Sequence, residues 1–143
     1  MLHVFGSSVE VAEELDLGRI NHALLGMGLL PGKFGADSTF PADDVRRTAA
    51  WRPGFLDGRP TRDWLDKIDA IRDVLTSDGR TLAQGALALI WARSDRTVPI
   101  PGFKSVRQVE DNCGALDRGP LTSEQMSTIE DLAANHRRRY PLT

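Results

Sequence analysis

Residues 98–112 read Val-Pro-Ile-Pro-Gly-Phe-Lys-Ser-Val-Arg-Gln-Val-Glu-Asp-Asn, and this stretch decides the fold. Val98 and Ile100 favour a strand, although the prolines that alternate with them cannot donate to an ordinary central ladder. An amphipathic helix is predicted directly afterwards, over Val106–Leu116. A phosphate binds well where backbone N–H groups and a cation meet a helix N-terminus. The segment therefore predicts a strand, a glycine turn that carries Lys104, and a helix whose positive end suits an anion.

A second passage from a strand into a glycine-rich loop lies nearer the N-terminus. Arg19–Leu25 is predicted as a short strand that runs into the loop at 26–33. Before it, Ser8 is predicted to cap a helix that Gly18 ends. Residues 34–60 then form a long, partly irregular insertion, with a short helix predicted over Ala42–Thr48.

Further helices are predicted between and after the two strands. Arg62–Leu75 is amphipathic, because its apolar residues recur at spacings of three and four. Thr81 caps an unusually apolar helix over Leu82–Ala92, which must be buried on several sides. Thr122 and Gln125 form a capping box for the final helix.

Alternating helices and short buried strands predict an α/β protein with parallel strands. Two strands are convincing, and two parallel strands cannot close a barrel. Parallel sheets normally have both faces covered. Either more strands come from elsewhere, or this chain is a piece of a larger fold.

Composition narrows the classes of function. The 143 residues suffice for one domain with a core, and 41% hydrophobic and 27% charged residues are ordinary for a soluble protein. A net charge of −2 implies no general attraction to nucleic acid or to an anionic membrane. The single cysteine, Cys113, excludes an internal disulfide and a multi-cysteine metal site. Because the N-terminus lacks signal-peptide features and no apolar run is long enough to cross a bilayer, we expect a cytoplasmic protein.

Three blocks of sequence, and a terminal helix after them, resemble the aldo-keto reductases. Residues 20–33, Ile-Asn-His-Ala-Leu-Leu-Gly-Met-Gly-Leu-Leu-Pro-Gly-Lys, resemble the seventh strand and following loop of that family, and 98–112 resemble its eighth strand and phosphate-binding helix. Thr81–Ala88 is similar to the helix before the last strand, and 121–132 to the terminal helix. The resemblance implies the C-terminal portion of a (β/α)8 TIM barrel, about strands 7 and 8 with their helices, as an incomplete barrel. Residues 1–143 would be a partial oxidoreductase domain, with 34–60 as a loop insertion.

The resemblance also implies binding of NADP(H) and reduction of aldehydes or ketones to alcohols by hydride transfer. Lys104 would pair with the adenosine 2′-phosphate, and residues of the following helix would flank the adenine. His22 replaces the aromatic residue that often stacks on the nicotinamide, and Gln108 occupies a position where some branches place a phosphate-pairing arginine. The implied cofactor contacts are His22, Ala23, Leu25, Met27, Gly102, Phe103, Lys104, Gln108, Asp111 and Asn112.

The family's catalytic Asp, Tyr, Lys and His belong to strands and loops that precede the segment matched here. The one tyrosine, Tyr140, lies in a basic tail and matches no catalytic motif, and neither His3 nor His136 matches the catalytic histidine. We therefore expect no catalytic residue, no metal site, and no turnover by this chain alone.

Several origins and partners stay open at this point. The chain is expected to be a truncated product, a split subunit that needs its N-terminal half, or a mis-started reading frame. Expected partners are a nicotinamide dinucleotide and, with the missing half supplied, a carbonyl substrate, but neither nucleic acid nor a membrane. The rival hypothesis is a non-catalytic interaction module that buries its open barrel edges, as a homo-oligomer or against a partner.

Overall fold

The structure is a computed structural model, and it describes residues 6–48 and 54–139. The helices are α1 (Gly6–Glu14), α2 (Val45–Thr48), α3 (Arg62–Leu75), α4 (Leu82–Arg93), α5 (Val106–Arg118) and α6 (Ser123–Arg139). The strands are β1 (Arg19–His22), β2 (Phe55–Leu56), β3 (Arg59–Pro60) and β4 (Thr97–Ile100). Short 3₁₀ turns cover Gly26–Gly28 and Ser77–Gly79.

Strands β1 and β4 pair in parallel, with Arg19 opposite Thr97 and His22 opposite Ile100. The sequence predicted that the first strand would continue to Leu25, and this was wrong. The strand ends at His22 because Ala23 takes a left-handed conformation, with φ of 55°. Its carbonyl then accepts a hydrogen bond from the N–H of Gly26 at 3.0 Å. The backbone therefore turns away from the sheet three residues early.

The two faces of this parallel pair differ in what covers them. On one face Thr97 is buried and its hydroxyl accepts a hydrogen bond from Arg19 Nη2 at 2.8 Å. On the other face Ile20, Val98 and Ile100 remain 74%, 59% and 52% exposed. Parallel sheets are normally covered on both sides. We call the surface formed by Ile20, His22, Val98 and Ile100 the bare face.

The main core lies between helices. Leu75 of α3, Ala88 of α4 and Ile129 of α6 form one buried cluster, which Leu121 completes just before α6. The predicted bounds of α3 are confirmed, and the apolar α4 is buried on several sides as its composition indicated. Both predicted helix starts with threonine caps are also confirmed, since reciprocal side-chain and backbone hydrogen bonds are present at Thr81 and Gln84 and at Thr122 and Gln125.

Residues of the predicted insertion build a second core. Phe40 makes edge-to-face contacts with Phe34 and Phe55, at ring-centroid distances of 4.9 and 5.4 Å. The strands β2 and β3 form a two-residue hairpin whose turn residues, Asp57 and Gly58, both have positive φ. This is the backbone that a tight hairpin requires. The stretch 34–60 therefore contains packed structure around an aromatic cluster.

Two predicted helix starts were wrong. Helix α2 begins at Val45 rather than Ala42, because the Asp44 carboxylate accepts from the Arg46 N–H at 2.9 Å and caps the first turn there. Ser8 does not cap α1, because the helix already includes Gly6 and the backbone of Ser8 is helical. An N-cap residue has a non-helical backbone.

Replacing Gly85 with alanine is expected to destabilise the fold. An added Cβ at Gly85 would lie 2.1 Å from the carbonyl oxygen of Leu75, so α3 and α4 would have to separate. Overpacking of this kind costs about 1–3 kcal/mol, which outweighs the roughly 1 kcal/mol that alanine gains over glycine in a helix. Urea unfolding would measure the loss. Gly35→Ala is the control, because a Cβ there meets nothing within 4 Å; equal stability of the two variants would contradict this packing.

Candidate functional site

The predicted cofactor residues follow two neighbouring strands. Because β1 and β4 are parallel and His22 pairs with Ile100, their carboxyl ends meet at the same edge of the sheet. Residues 23–27 leave that edge from β1, and residues 101–104 leave it from β4. The structure thus brings together two segments that lie more than 70 residues apart in the sequence. Ligands of α/β proteins bind at this end of parallel strands.

The turn between β4 and α5 is fixed by two side chains. The hydroxyl of Ser105 accepts from the N–H of Gln108 at 3.3 Å and caps α5. The Gln108 Oε1 atom accepts from the N–H of Lys104 at 2.6 Å. Lys104 is exposed, Phe103 is 63% exposed, and an added Cβ at Gly102 would meet nothing within 4 Å. The positive end of α5 and the Lys104 ammonium are therefore accessible to an anion.

The turn after β1 has an unusual run of left-handed residues. Ala23, Gly26, Met27 and Gly28 have φ values of 55°, 58°, 55° and 100°. Glycine is required at position 28 for two reasons: its φ is positive, and an added Cβ would lie 2.8 Å from the Phe34 ring. Leu25 and Met27 are half-buried, and Met27 packs against the Phe40 and Phe55 cluster. The loop is thus attached to the aromatic core of the insertion.

Asp111 faces helix α4. Its Oδ1 accepts from the Thr81 hydroxyl at 2.9 Å, and its backbone carbonyl accepts from Gln84 Nε2 at 3.1 Å. Asp111 and Asn112 are both half-buried, whereas His22 is exposed on the bare face. The predicted site residues therefore fall into four places: the end of β1 on the bare face, the turn after β1, the turn that leads into α5 with the first turn of that helix, and the face of α5 next to α4.

Asp44 and Arg46 lie near the site, and neither was predicted as a functional residue. The Arg46 side chain forms a two-point ion pair with the Asp44 carboxylate and lies over the rings of Phe34 and Phe40, at 4.8 and 4.1 Å from their centroids. Hydrogen bonds from Arg46 hold the pKa of Asp44 at about 2, below its ordinary 3.8, and the charge of Lys104 lowers it further. Asp44 and Lys104 therefore interact electrostatically. A local Asp-x-Arg pattern at a helix start was the available signal.

A separate cavity of about 320 Å³ lies between the loop at 29–36 and α3. Leu29, Phe34, Leu65 and Ile68 contribute its apolar lining. The rim charges pair within α3, with Arg62 bound to Asp66 and Arg72 bound to Asp69, each at 2.8 Å. None of the predicted cofactor residues lines it.

The expected lack of catalytic residues stays a prediction. Tyr140 and His3 lie outside the described residues, and the side chain of His136 is not described. Across residues 6–48 and 54–139, no group of three or more His, Cys, Asp or Glu side chains is arranged to hold a metal ion. In the same part of the chain, every helix is too short or too polar to cross a bilayer.

Comparison with known proteins identifies the family. A family model described as "Aldo/keto reductase family" matches residues 7–134. This chain belongs to the aldo/keto reductase family. It is 34% identical over 120 residues to the chloroplastic pyridoxal reductase of Arabidopsis thaliana. The matched residues are 84% of this chain and 30% of that protein.

Two fungal relatives give similar values. Aldo-keto reductase str7 of Strobilurus tenacellus is 32% identical over 126 residues, or 87% of this chain and 36% of the relative. Aldo-keto reductase yakc [NADP(+)] of Schizosaccharomyces pombe is 32% identical over 136 residues, or 93% of this chain and 38% of the relative. The chain thus spans about a third of the length of these curated relatives.

The fold is shared with a solved structure. The glycerol dehydrogenase AKR11B4 from Gluconobacter oxydans matches with a TM-score of 0.77 and 23% identity, over 94% of this chain and 38% of that one. The expected α/β class and the resemblance to the family are therefore confirmed.

The pKa of Asp44 is expected to depend on Arg46. Because the folded-state pKa lies below the ordinary value, the ion pair stabilises the fold above pH 3.8, and this contribution is lost as the pH falls through about 2. Arg46→Gln should raise the pKa of Asp44 toward 3.8, as measured by carboxyl NMR titration. Arg47→Gln is the control, because its Nη1 donates to the Phe40 carbonyl instead. An Asp44 pKa near 3.8 in the unmodified chain would refute the ion pair.

Proposed function

We propose that this chain is the NADP(H)-binding, C-terminal part of an aldo-keto reductase barrel, corresponding to about its last two strands and their helices. The observation that carries the proposal is the placement of the β1 glycine turn beside the Lys104 turn and the capped start of α5. One segment offers backbone groups and the other offers a cation and a helix dipole. This combination suits a phosphate-bearing dinucleotide.

The residues present fit the cofactor in three respects. Lys104 is exposed and would pair with the adenosine 2′-phosphate, while Gly102 leaves open space beside it. The turn over residues 23–28, in which Ala23, Gly26, Met27 and Gly28 are left-handed, would present backbone groups to the nicotinamide riboside and the pyrophosphate. His22, exposed at the end of β1, would lie beside the nicotinamide ring. The cofactor itself would supply the hydride.

In this arrangement the side chain of Gln108 would contact the ligand as well as the backbone of Lys104. A backbone N–H donates, so the Gln108 atom that meets Lys104 must be the side-chain oxygen. The amide NH2 group of Gln108 is then the part left to face a ligand. It would offer neutral donors where some family branches place an arginine. Binding of the 2′-phosphate therefore depends chiefly on Lys104 for charge.

The names of the relatives support the reaction class. One of them is named as an NADP(+) enzyme and another as a pyridoxal reductase. We propose for the complete protein the reduction of an aldehyde or ketone to an alcohol, with catalytic groups from the part of the fold that this chain does not span. The chain by itself would bind the dinucleotide and not turn over substrate. Its expected cytoplasmic location stays a prediction.

Binding of the two dinucleotides should differ through Lys104. We expect the chain to bind NADPH about tenfold or more tightly than NADH, which is the effect of one hydrogen bond to a charged group. Lys104→Met should remove most of this difference in affinity. Quenching of tryptophan fluorescence during titration would measure both affinities. Lys67→Met is the control, since Lys67 pairs with Asp63 on α3. Equal affinity of the unmodified chain for NADPH and NADH would overturn the proposed cofactor.

The bare face favours a second candidate function, a non-catalytic module that associates through its open sheet. Ile20, Val98 and Ile100 form an apolar surface on a parallel pair, and such sheets are normally covered. Under this alternative, the chain would form a defined oligomer and bind no dinucleotide.

A substitution on the bare face separates the two candidates. If association is the function, Val98→Lys should convert a defined oligomer into a folded monomer, as measured by sedimentation velocity. Leu56→Lys is the control, because Leu56 is 67% exposed on the β2–β3 hairpin. A monomeric unmodified chain that binds NADPH would exclude the association module.

A further inference from the structure

Helix α5 carries an apolar stripe on the side that faces away from helix α4. Val106, Val109, Cys113 and Leu116 recur at spacings of three and four, so they lie along one face of the helix. Val106 and Leu116 are 74% and 69% exposed, Cys113 is exposed, and Val109 is half-buried. We call these four residues the outer stripe.

The opposite side of α5 makes the contact with α4. Asp111 bonds with the start of α4, an added Cβ at Gly114 would lie 2.9 Å from Gln84 Nε2, and Ala115 is fully buried. At about 100° per residue, Ala115 lies half a turn away from Val106. An amphipathic helix normally turns its apolar stripe toward the core. Helix α5 does the reverse, because small and polar residues make its contact with α4 while its valines and leucine lie on the other side.

Two carboxylates flank the outer stripe. Glu110 and Asp117 are seven positions apart, about two turns, so they lie on the same side of the stripe. Both are exposed, and neither forms an ion pair with a cation of the described residues. The other side carries the neutral Gln108 and Asn112, and Arg107 is turned further toward the α4 side. The stripe therefore suits a helix that carries lysine or arginine beside its own apolar residues.

A second copy of this chain does not offer that complement. In an antiparallel pair of two α5 helices, the side with Glu110 and Asp117 in one copy would lie beside the same side of the other, and the like charges would repel. Helix α1 also exposes apolar side chains, with Val11 at 50% and Leu15 just after the helix at 62%. That helix carries three exposed glutamates, so it is acidic as well.

We propose that the outer stripe is a docking surface for an amphipathic helix of another polypeptide, whose apolar residues are flanked by lysine or arginine. Its apolar residues would cover the outer stripe, and its cations would pair with Glu110 and Asp117. This inference goes beyond the proposed function, because no residue of the outer stripe is among the proposed contacts with the dinucleotide. The docking surface is also distinct from the bare face, which lies on the sheet.

Two synthetic helical peptides that differ only in charge test the chemistry of the partner. Both lack cysteine and carry leucines at alternating spacings of three and four, with lysines beside the leucines in one peptide and glutamates in the other. We expect the unmodified chain to bind the lysine peptide about tenfold more tightly, because the two carboxylates attract one peptide and repel the other. Fluorescence anisotropy would measure both affinities. Raising the salt concentration should reduce their ratio.

Cys113 reports where the peptide binds. It is the only cysteine of the chain, it is exposed, and it lies within the outer stripe. A saturating concentration of the lysine peptide should slow alkylation of the Cys113 thiol by iodoacetamide roughly tenfold, because the covered thiol is no longer accessible. The glutamate peptide at the same concentration should change the rate little. Binding of the lysine peptide without protection of Cys113 would place the peptide elsewhere and overturn the proposal.

A substitution within the outer stripe tests its apolar contribution. Leu116→Gln should lower the affinity for the lysine peptide by about tenfold, the effect of losing an apolar anchor. Leu56→Gln is the matched control, because Leu56 is 67% exposed on the β2–β3 hairpin. Urea unfolding would confirm that both variants remain folded. Equal weakening by the two variants would contradict docking at the outer stripe.

Reversing the charge beside the stripe tests the ion pairs. The double variant with Glu110→Lys and Asp117→Lys should bind the glutamate peptide more tightly than the lysine peptide. The matched control combines Glu124→Lys with Asp131→Lys, which makes the same two changes at the same spacing on α6. This control should keep the preference for the lysine peptide, and loss of the preference there as well would show a general effect of net charge and overturn the proposal.

The remaining outcomes also decide the question. Equal binding of the two peptides by the unmodified chain, or no binding of the lysine peptide, would overturn the proposal. If Cys113 becomes protected as the concentration of the chain rises without peptide, a second copy covers the outer stripe and the proposal fails. Affinity for NADPH is measured separately, so the proposed function can fail while this inference stands, and the reverse.

Discussion

The parallel pairing of β1 with β4 joins the two halves of the proposed site. Arg19 and Thr97 are 78 positions apart, and their side-chain hydrogen bond links the first residue of one strand to the first residue of the other. Closing a loop of this length costs entropy before the strands gain anything from pairing. The helices between the strands offset that cost, because α3 and α4 pack with α6 in one buried cluster and α4 leads directly into β4. The placement of the site therefore depends on this helical core, and Asp111 of α5 contacts the start of α4 directly.

This division explains how a two-stranded parallel sheet persists with one face bare. Among the described residues, the largest fully buried side chains, Leu75, Leu87 and Ile129, belong to helices. The sheet contributes the backbone pairing of two strands and their common direction. Its exposed isoleucines and valine contribute little to the core. A surface of this kind is an association hazard unless something covers it. The same feature thus supports both the proposal of a partial barrel and that of an association module.

Local chemistry was predictable from the sequence, and long-range placement was not. Helix α3 and the capping boxes at Thr81 and Thr122 were predicted because periodicity and cap residues act over a few positions. The early end of β1 was missed because an alanine at position 23 gives no warning of a positive φ. The contact between Thr81 and Asp111 spans 30 positions, and no local pattern encodes it. The cofactor residues were inferred from resemblance, so their roles stay predictions even though the structure brings the two segments together.

Charge near Lys104 is balanced through the insertion. Asp44 interacts electrostatically with Lys104, and a carboxylate alone would weaken the attraction of that lysine for a phosphate. Arg46 compensates for Asp44 by pairing with it at two points, and Phe34 and Phe40 hold the Arg46 guanidinium over their rings. The Arg46 guanidinium therefore makes two contacts at once, an ion pair with Asp44 and a stack on the rings of Phe34 and Phe40, so the insertion packs around a charge that it also neutralises.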